Sequence, residues 1–402
     1  MSKTAKPAAK SLLDSVRGFT IRAIRAGIKA SGNLDLGLIC ADRPVACAGV
    51  FTQNKVAAAP VLLDRAALKA TKGKARAVLV NAGIANACTG AQGMKNARAC
   101  AAQVAKGLGC RPEEVMVCST GVIGHQLNPQ KMQAGIARLL DGEGGAGAAF
   151  TQAIMTTDTR EKTASVTLKN GARIAGVCKG SGMIAPNMAT MLAFILTDAA
   201  IAPAALQKAL KAAVKDSFNI VSVDGDTSTN DTLLAFASGE AGNPTISGGA
   251  AYDEFAAGLF KVCRALAEQV AADGEGASKM IRIHLTGAKS EAAARAAVRA
   301  VAQSPLVKCA IFGNDPNWGR IICAVGYSGA PMTPEKTTIA LCGQTVFKKG
   351  APQKFDAAAL SKKMKAKEVA IAIDLGLGKA SADFLTCDFT YDYVKINADY
   401  HT

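Results

Sequence analysis

Short apolar runs alternate with longer amphipathic segments along most of the chain. Residues 77–80 and 115–118 are apolar runs of strand length, whereas residues 94–108 carry small and apolar residues at helical spacing. Asn128 before Pro129 is typical of a helix start, because Asn caps free backbone amides and Pro fits the first helical turn. The pattern predicts strands that alternate with helices, as in an α/β protein.

The alternation continues through the second half of the chain. Asn170 and Gly171 separate two short strands, over residues 165–168 and 173–178, which predicts a hairpin. Further helices are predicted over residues 206–214 and 255–270, and further strands over residues 280–285, 338–342, 369–375 and 384–396. The last two strands are predicted to pair antiparallel. The predicted fold class is mixed α/β, with sheets layered with helices and a boundary near residues 180–190.

Size, composition and charge narrow the class of protein. The 402 residues are 50% hydrophobic, enough for a large core, and no apolar segment reaches the roughly 18 to 20 residues of a membrane span. The net charge of +16 favours anionic partners, but the basic residues are spread out and lack interleaved aromatic residues, so a basic enzyme is favoured over a nucleic-acid-binding protein. Residues 1–17 are predicted to be a disordered basic tail, and a cytoplasmic location is expected.

Cysteine and histidine usage limits the chemistry. The twelve cysteines include no C-x-x-C pair and several lie inside apolar patterns, which predicts a reducing compartment with neither a disulfide framework nor a zinc site. Of the three histidines, His284 lies in the alternating run IRIHL and is interpreted as a packing residue rather than a base. A hydrolase that uses histidine as its base therefore has few candidates.

Several polar segments contain candidate functional groups. The run SFNIVSVDGDTSTNDT, residues 217–232, begins with a strand-like IVSV and could bind Mg²⁺ or Ca²⁺ through oxygen ligands. The favoured alternative is structural, with Asp and Asn side chains satisfying backbone donors, because Ala235 stands where an EF-hand needs glutamate. NAGIANACTG and FGNDPNWGR, which contains Trp318, raise the same choice.

Two shorter segments have a functional and a structural interpretation each. STGVIG places Thr120 and Gly121 in a turn after a strand, where backbone N–H groups and a hydroxyl could face an oxyanion. Such turns are also common without any function. DGEGASK, residues 273–279, either ends a helix or presents a carboxylate to a substrate ammonium group.

Thr190 stands between a Gly/Pro-marked loop and the apolar run 191–196. A threonine hydroxyl is a weak nucleophile unless a base lies beside it. A cut between Ala189 and Thr190 would create an α-amine on Thr190 itself, with a pKa near neutrality. The local alternative is that Thr190 is a β-branched residue at the start of a buried strand.

Six blocks of the sequence carry a resemblance to a known family. KGSGMIAPNMATMLAFILTDA, STGVIG, SFNIVSVDGDTSTNDT, DGEGASK, GNDPNWGR and YVKINADYHT resemble, in order, the blocks of the ornithine acetyltransferase (glutamate N-acetyltransferase) family of the cyclic arginine pathway. The resemblance extends from about Gly18 to Thr402 and implies a self-processing, N-terminal-nucleophile-type acetyltransferase fold. It implies an α chain, 18–189, that carries the oxyanion hole, and a β chain, 190–402, that starts with the nucleophile. The two chains are expected to stay together as an α2β2 heterotetramer.

The resemblance also assigns residues. Thr190 would take the acetyl group from N-acetylornithine and pass it to glutamate by a ping-pong mechanism, with Thr120 and Gly121 as the oxyanion hole. The residues that match substrate-binding positions are Thr156, with Thr157 as its neighbouring alternative, Lys179, Thr190, Glu275, Asn397 and Thr402. Ser278 and His401 depart from residues that are frequent in the family, Thr and Arg.

The expected ligands and the alternatives follow from the same resemblance. No metal and no resident cofactor are expected. Small-molecule substrates are expected, without nucleic-acid or membrane partners. A bifunctional enzyme that also uses acetyl-CoA to make N-acetylglutamate is the alternative within this activity. An N-terminal-nucleophile aminopeptidase and a catalytically silent binding protein are the rivals from other classes.

Overall fold

A computed structural model describes residues 11–185 and 191–399. Fourteen strands lie in these ranges: β1 Thr20–Ile24, β2 Leu36–Phe51, β3 Lys74–Ile84, β4 Val115–Val122, β5 Lys162–Thr167, β6 Arg173–Lys179, β7 Leu192–Thr197, β8 Thr232–Ala237, β9 Met280–Ala288, β10 Thr338–Leu341, β11 Gln344–Lys348, β12 Ala351–Pro352, β13 Glu368–Asp374 and β14 Ala380–Cys387. Eleven α-helices accompany them within the same ranges: α1 Ala59–Ala70, α2 Gly90–Leu108, α3 Pro129–Leu140, α4 Gly147–Ile154, α5 Pro203–Lys215, α6 Gly249–Ala272, α7 Glu291–Gln303, α8 Pro305–Phe312, α9 Trp318–Gly326, α10 Ala357–Lys363 and α11 Tyr391–Asp399.

Two mixed sheets organise these elements. The first has eight strands in the order β4-β3-β2-β8-β7-β6-β5, with β1 also paired to the long strand β2. The β3/β4 and β7/β8 pairs are parallel, and the other neighbours are antiparallel. The second sheet has six strands in the order β12-β11-β10-β13-β9-β14. The prediction of a mixed α/β protein with layered sheets is confirmed.

The strand β7 shows why its sequence is almost uninterruptedly apolar. Its alternating residues enter two different cores, Ala193 and Ile195 on one face and Leu192, Phe194 and Leu196 on the other. A strand that is buried on both faces needs no polar alternation. Helices α5 and α6 and the second sheet contribute to the core on the first face, and α4 contributes to the core on the other.

Several elements that local sequence patterns predict are present in the structure. The Asn128 side chain accepts a hydrogen bond from the Lys131 amide at 3.0 Å and begins α3 with Pro129 in the first turn. The hairpin of β5 and β6 turns at Gly171, whose φ of 81° suits glycine. The helices predicted over residues 94–108, 206–214 and 255–270 are α2, α5 and α6.

The C-terminal strand prediction was wrong in two ways. Residues 384–396 do not form one strand, because β14 ends at Cys387 and α11 begins at Tyr391. Cys387 pairs with Met280, the first residue of β9, so no strand remains opposite the residues that follow. The two last strands also do not pair with each other, since β13 and β14 lie on opposite sides of β9.

Three further expectations are corrected. IVSV is not a strand, because residues 218–220 form a short 3₁₀ turn and Val221 makes a single bridge to Leu385. Within the predicted tail, Leu13 and Val16 are buried in the core on one face of the first sheet. Residues 180–190 are not an architectural boundary, because β6 and β7 on either side are neighbours in one sheet.

The length and apolar character of the described helices bear on membrane insertion. None of the helices within 11–185 and 191–399 has the length and apolar character that a membrane crossing requires.

Candidate active site

A cavity of about 180 Å³ opens where the ends of several elements of the first sheet meet α11. All six described residues that were predicted for the site line it: Thr120, Gly121, Thr156, Lys179, Glu275 and Asn397. The remaining predicted residues, Ala189, Thr190 and Thr402, lie outside the described residues. The cavity is also lined by Ala85, Ile123, Thr157, Gly182, Met183, Asp224, Asp226, Ser228, Thr229, Asn230 and Tyr393.

Thr120 and Gly121 belong to the end of β4 rather than to a separate turn, which corrects that part of the prediction. Gly121 has a φ of 126°, and a Cβ there would lie 2.3 Å from the backbone carbon of Gly83 on β3. Only glycine permits this close approach of the two strands. The approach fixes the backbone of the Thr120–Gly121 pair at the cavity wall.

Lys179, the last residue of β6, is the buried cation of the cavity. Its side chain donates a hydrogen bond to Thr156 Oγ1 at 2.9 Å, and the residue is only 3% exposed. Burial lowers the pKa of Lys179 below its ordinary value, while the nearby Asp158 opposes this effect. The adjacent Thr157 contacts the Ser181 hydroxyl at 2.8 Å. The contact with Lys179 is made by Thr156 and not by Thr157.

A buried ion cluster, formed by Asp158, Lys162 and Asp273, lies behind Lys179. Lys162 Nζ is 2.6 Å from Asp158 Oδ1 and 2.5 Å from Asp273 Oδ2, and all three side chains are almost fully buried. Burial alone would raise the pKa of Asp158, but Lys162, Lys179 and other contacts hold it below its ordinary value. Burial would likewise lower the pKa of Lys162, and the two carboxylates raise it.

The ion cluster also holds the backbone around the cavity. Asp158 accepts hydrogen bonds from the Gly180 amide at 2.7 Å and from the Thr156 amide at 3.1 Å. Asp273 accepts from the amide and the hydroxyl of Thr159. The cluster therefore fixes the segments that carry Thr156 and Lys179.

Glu275 follows the end of α6 and reaches the cavity from the side opposite β4. Its amide donates to the Ser181 carbonyl at 2.8 Å, and its carboxylate accepts from Asn397 Nδ2 at 3.0 Å. A Cβ at Gly182 would lie 2.2 Å from this carboxylate, so glycine leaves the space for it. Of the two interpretations of DGEGASK, the helix end is confirmed, because Asp273 ends α6; Glu275 lines the cavity, and its binding of a substrate ammonium group stays a prediction.

The polar run over residues 217–232 has the structural role that was favoured. Asp224 accepts from the amides of Met183 and Ile184, at 2.6 and 2.9 Å, and Asp231 accepts from the amide of Met191 at 3.1 Å. Within residues 11–185 and 191–399, no three His, Cys, Asp or Glu side chains are grouped as a metal ion would require.

Asn230 connects this run to the strand that carries Thr120. Its side-chain amide donates to the carbonyls of Ala85 and Ser119, at 2.6 and 2.8 Å. Ser119 directly precedes Thr120 on β4, so the run supports the cavity wall as well.

The register of the sheet shows which end of the sheet the start of β7 occupies. Leu192 pairs with Lys179 on one side and with Thr232 on the other. Because Lys179 lines the cavity, β7 begins at the cavity end of the sheet. Thr190 stands one residue before Met191, which is directly before β7 in the chain.

Sequence reasoning missed several residues of the site and misjudged one histidine. Asp158, Asp224 and Tyr393 were not assigned, and the only signal was their position inside or beside dense polar runs. His284 is not a packing residue, because its half-exposed ring lies 2.6 Å from Asp383 on the solvent side of β9. Trp318 stacks on Phe347 at a ring distance of 5.2 Å, which gives it a packing role.

The fold and the cavity together define a class of protein. It is a mixed α/β protein whose cavity joins an oxyanion-hole candidate, a buried lysine and a carboxylate beside the start of a buried strand. Over residues 20–402 the chain matches the family model described as ArgJ family, and it belongs to that family.

Named relatives match along almost the entire chain. The arginine biosynthesis bifunctional protein ArgJ of Lactococcus lactis subsp. lactis is 49% identical, with 97% of this chain and 98% of that protein covered. The protein of the same name from Geobacter sulfurreducens is 48% identical, with 96% of this chain and 100% of that protein covered. A crystal structure of arginine biosynthesis bifunctional protein argJ from Bacillus halodurans matches with a TM-score of 0.50 and a sequence identity of 42%. The match covers 52% of this chain and 98% of that chain.

Proposed function

We propose that this chain is an acetyltransferase of arginine biosynthesis that moves the acetyl group of N-acetylornithine to glutamate. The family membership and the full-length relatives named for arginine biosynthesis support the pathway. The observation that carries the activity is the cavity itself. It gathers Thr120, Gly121, Lys179 and Glu275 from three separate parts of the chain beside the start of β7.

The proposed nucleophile is Thr190, made available by cleavage after Ala189. The Thr190 hydroxyl attacks the acetyl carbonyl of N-acetylornithine, and the α-amine of the same residue takes the hydroxyl proton. Thr120 and Gly121 stabilise the oxyanion that forms. When the C–N bond breaks, the α-ammonium returns the proton to the leaving ornithine, and an acetyl ester stays on Thr190. The amine of glutamate then attacks this ester and carries the acetyl group away.

The charges of the cavity suit two amino-acid substrates. Lys179 is a buried cation that can pair with a substrate carboxylate, which both N-acetylornithine and glutamate carry. Glu275, which Asn397 holds, can bind the side-chain ammonium of ornithine. Thr156 orients Lys179, and Thr402 is assigned to the closure of the cavity by resemblance alone.

The proposal divides the precursor into an α chain, 18–189, and a β chain, 190–402, within an N-terminal-nucleophile-type fold. The Bacillus halodurans chain supports this division, because it is about half as long as the present one. Since β6 and β7 pair across the cut, the two chains stay joined after cleavage by their shared sheet and core. We assign the protein to an α2β2 assembly in the cytoplasm that needs neither metal nor resident cofactor.

A second activity is supported by one specific observation. The Lactococcus and Geobacter relatives are each named as a bifunctional protein. The second reaction would make N-acetylglutamate from acetyl-CoA and glutamate through the same acetyl-Thr190 ester. An assay of acetyl-CoA with glutamate, in the absence of N-acetylornithine, separates a bifunctional enzyme from one with a single donor.

The first test is the intact mass of the purified protein under denaturing conditions. Two chains, one ending at Ala189 and one starting at Thr190, are expected. Thr190→Ala should leave a single full-length chain and abolish transfer from N-acetylornithine, whereas Thr190→Ser, which keeps a hydroxyl, should retain part of both. A Thr190→Ala protein that is fully active would overturn the proposed nucleophile.

A further inference from the structure

Two carboxylates of the polar run hold the residues on either side of the proposed cut. Upstream, Asp224 accepts from the Met183 amide through one oxygen and from the Ile184 amide through the other. Downstream, Asp231 accepts from the Met191 amide through Oδ1 at 3.1 Å. We call Asp224 and Asp231 the flank carboxylates.

Backbone contacts reinforce both attachments. The Val223 amide donates to the Ile184 carbonyl at 2.8 Å, and the Thr232 amide donates to the Met191 carbonyl at 3.1 Å. Each flank carboxylate thus belongs to a short stretch of residues 222–232 that pairs with one flank of residues 186–190. Residues 222–232 therefore contact the described residues on both sides of the five that contain the proposed cleavage site.

The upstream attachment holds an unfavourable backbone conformation. Met183 has a φ of 56°, in the left-handed region that side chains other than glycine, Asn and Asp seldom adopt. Such a conformation persists only where the surroundings impose it. The hydrogen bond from the Met183 amide to Asp224, 2.6 Å long, is one contact that does so.

The downstream attachment acts on the nucleophile through one peptide bond. Asp231 accepts from the Met191 amide nitrogen, and this nitrogen belongs to the peptide bond that joins Met191 to Thr190 in the chain. Asn230, the preceding residue, is bonded to Ser119, next to Thr120. The adjacent side chains of Asn230 and Asp231 therefore bind the strand that carries Thr120 and the residue that directly precedes β7.

We propose that Asp224 and Asp231 are positioning residues for self-cleavage, which hold the two flanks of residues 186–190 in register with the oxyanion hole. The inference rests on the proposed function, because it presupposes cleavage before Thr190. Neither carboxylate is given the role of proton acceptor. Each acts through the backbone amides that it binds.

The two attachments differ in a way that a conservative substitution can detect. Asp231 uses only Oδ1, and its buried Oδ2 has no hydrogen-bond partner in the described parts of the chain. An asparagine at 231 can therefore accept from Met191 through its carbonyl oxygen. Asp224 uses both oxygens, Oδ2 for Met183 and Oδ1 for Ile184 and Asp226, so an asparagine at 224 cannot replace the contacts on both sides.

The test is a time course of cleavage in the full-length chain, made by cell-free translation and followed by intact mass. Asp231→Ala, Asp224→Ala and Asp224→Asn should each slow cleavage about tenfold or more, whereas Asp231→Asn should stay within about threefold of the wild type. Asp253→Ala removes an exposed carboxylate of α6 and should leave the rate unchanged. Circular dichroism and thermal midpoints identify any variant that is cleaved slowly because it is unfolded. If an Ala variant is unfolded, the cleavage rates of Asp224→Asn and Asp231→Asn decide whether the inference holds.

The outcomes separate this inference from the proposed function. A wild-type chain that stays at full length overturns the proposed self-cleavage and the inference with it. A wild-type chain that is cut, with Asp231→Ala and Asp224→Ala cut equally fast, overturns the inference alone. An Asp231→Asn variant that is as slow as Asp231→Ala would show that the carboxylate charge matters rather than the accepted hydrogen bond, and would also overturn it.

Discussion

Two groups of buried carboxylates around the candidate active site differ in what surrounds them. In the ion cluster, Asp158 and Asp273 share Lys162 as their cation. The flank carboxylates, Asp224 and Asp231, form no ion pair with any described residue and accept from backbone amides. The same residue type therefore serves two different purposes in the surroundings of one cavity.

The pKa values show the consequence. Lys162 and Lys179 keep the pKa of Asp158 below its ordinary value in spite of burial. Burial raises the pKa of Asp224 to about 6 and that of Asp231 well above its ordinary value, because amide hydrogen bonds only partly replace lost water. The cations of the ion cluster thus lower the pKa of Asp158, whereas burial raises the pKa values of both flank carboxylates beside the proposed cut.

The largest effect is expected from removing the shared cation. Lys162→Met removes the buried cation that Asp158 and Asp273 share and leaves only Arg160, 3.5 Å from Asp273, and the neighbouring Lys179, which should cost about 3–5 kcal/mol of unfolding free energy. Thermal or urea unfolding would measure the loss. The matched control is Lys215→Met, which breaks a pair with Glu291 whose side chains are both about half exposed, and which should cost less than about 1 kcal/mol.

A second substitution would sharpen this prediction. Adding Asp158→Asn to Lys162→Met removes one of the two buried negative charges that Lys162 had paired and should restore part of the lost stability. Equal stabilities of Lys162→Met and Lys215→Met would show that the ion cluster is not a support of the fold.

The next effect is a pH dependence of opposite sign for the two groups. Asp224 has a folded pKa of about 6, above its ordinary 3.8, so its unfavourable contribution appears as the pH rises from about 4 and is complete above about 6. Lowering the pH from 7 to 4 should therefore stabilise the wild type against Asp224→Asn by about 3 kcal/mol. For Asp158, whose folded pKa is lowered, the stabilisation is present above the ordinary pKa and is lost as the pH falls through the folded value.

Thermal midpoints of the wild type, Asp224→Asn and Asp158→Asn across this pH range would test both signs. Asp226 and Tyr393 also lie near Asp224, and Asp224→Asn leaves both in place, so the difference between the wild type and this variant isolates Asp224. Parallel pH profiles of the wild type and both variants would contradict the contrast between the two groups.

Sequence predicted those parts of this comparison that depend on local pattern. The unbroken apolar run that became β7 and the Asn128 cap of α3 need only neighbouring residues, and both are present. The six blocks of family resemblance supplied the residues of the cavity, and all six of those within the described chain line it. Asn397 lines the cavity with the other assigned residues although it lies on α11 rather than on a strand.

The supporting contacts could not be predicted, because they join residues that are far apart in the sequence. Lys162 and Asp273 are separated by 111 positions, and Met191 and Asp231 by 40. No local sequence pattern identifies such pairs. The sequence alone also does not distinguish a lysine that becomes buried from one that stays exposed. The error at residues 384–396 has a similar cause. An alternating segment becomes a strand only where a partner strand lies beside it. The partner of β14 is β9, and Met280, which pairs with Cys387, is the end of β9.

A smaller effect is expected from Lys179, which interacts electrostatically with both groups. Lys179→Met should raise the Michaelis constants of N-acetylornithine and glutamate together, by about tenfold to thirtyfold, because both lose the same cation. Cleavage should remain intact, since the flank carboxylates still hold residues on both sides of the cut. Lys261→Met, on the exposed face of α6, is the control. Unchanged Michaelis constants would remove Lys179 from the substrate site.

The smallest effect distinguishes the two substrates at Glu275. Glu275→Gln keeps the size of the side chain and an oxygen that can accept from Asn397, but it removes the charge. The Michaelis constant of N-acetylornithine should rise about tenfold, because its ammonium loses a charged partner, and that of glutamate should rise less than about threefold. Steady-state kinetics with each substrate varied in turn would measure both. Asn397→Ala should have a weaker effect in the same direction, since it leaves the charge of Glu275 in place and removes only the group that orients it. Equal losses for the two substrates in Glu275→Gln would mean that Glu275 supports the cavity wall beside Gly182 and does not bind the ammonium group.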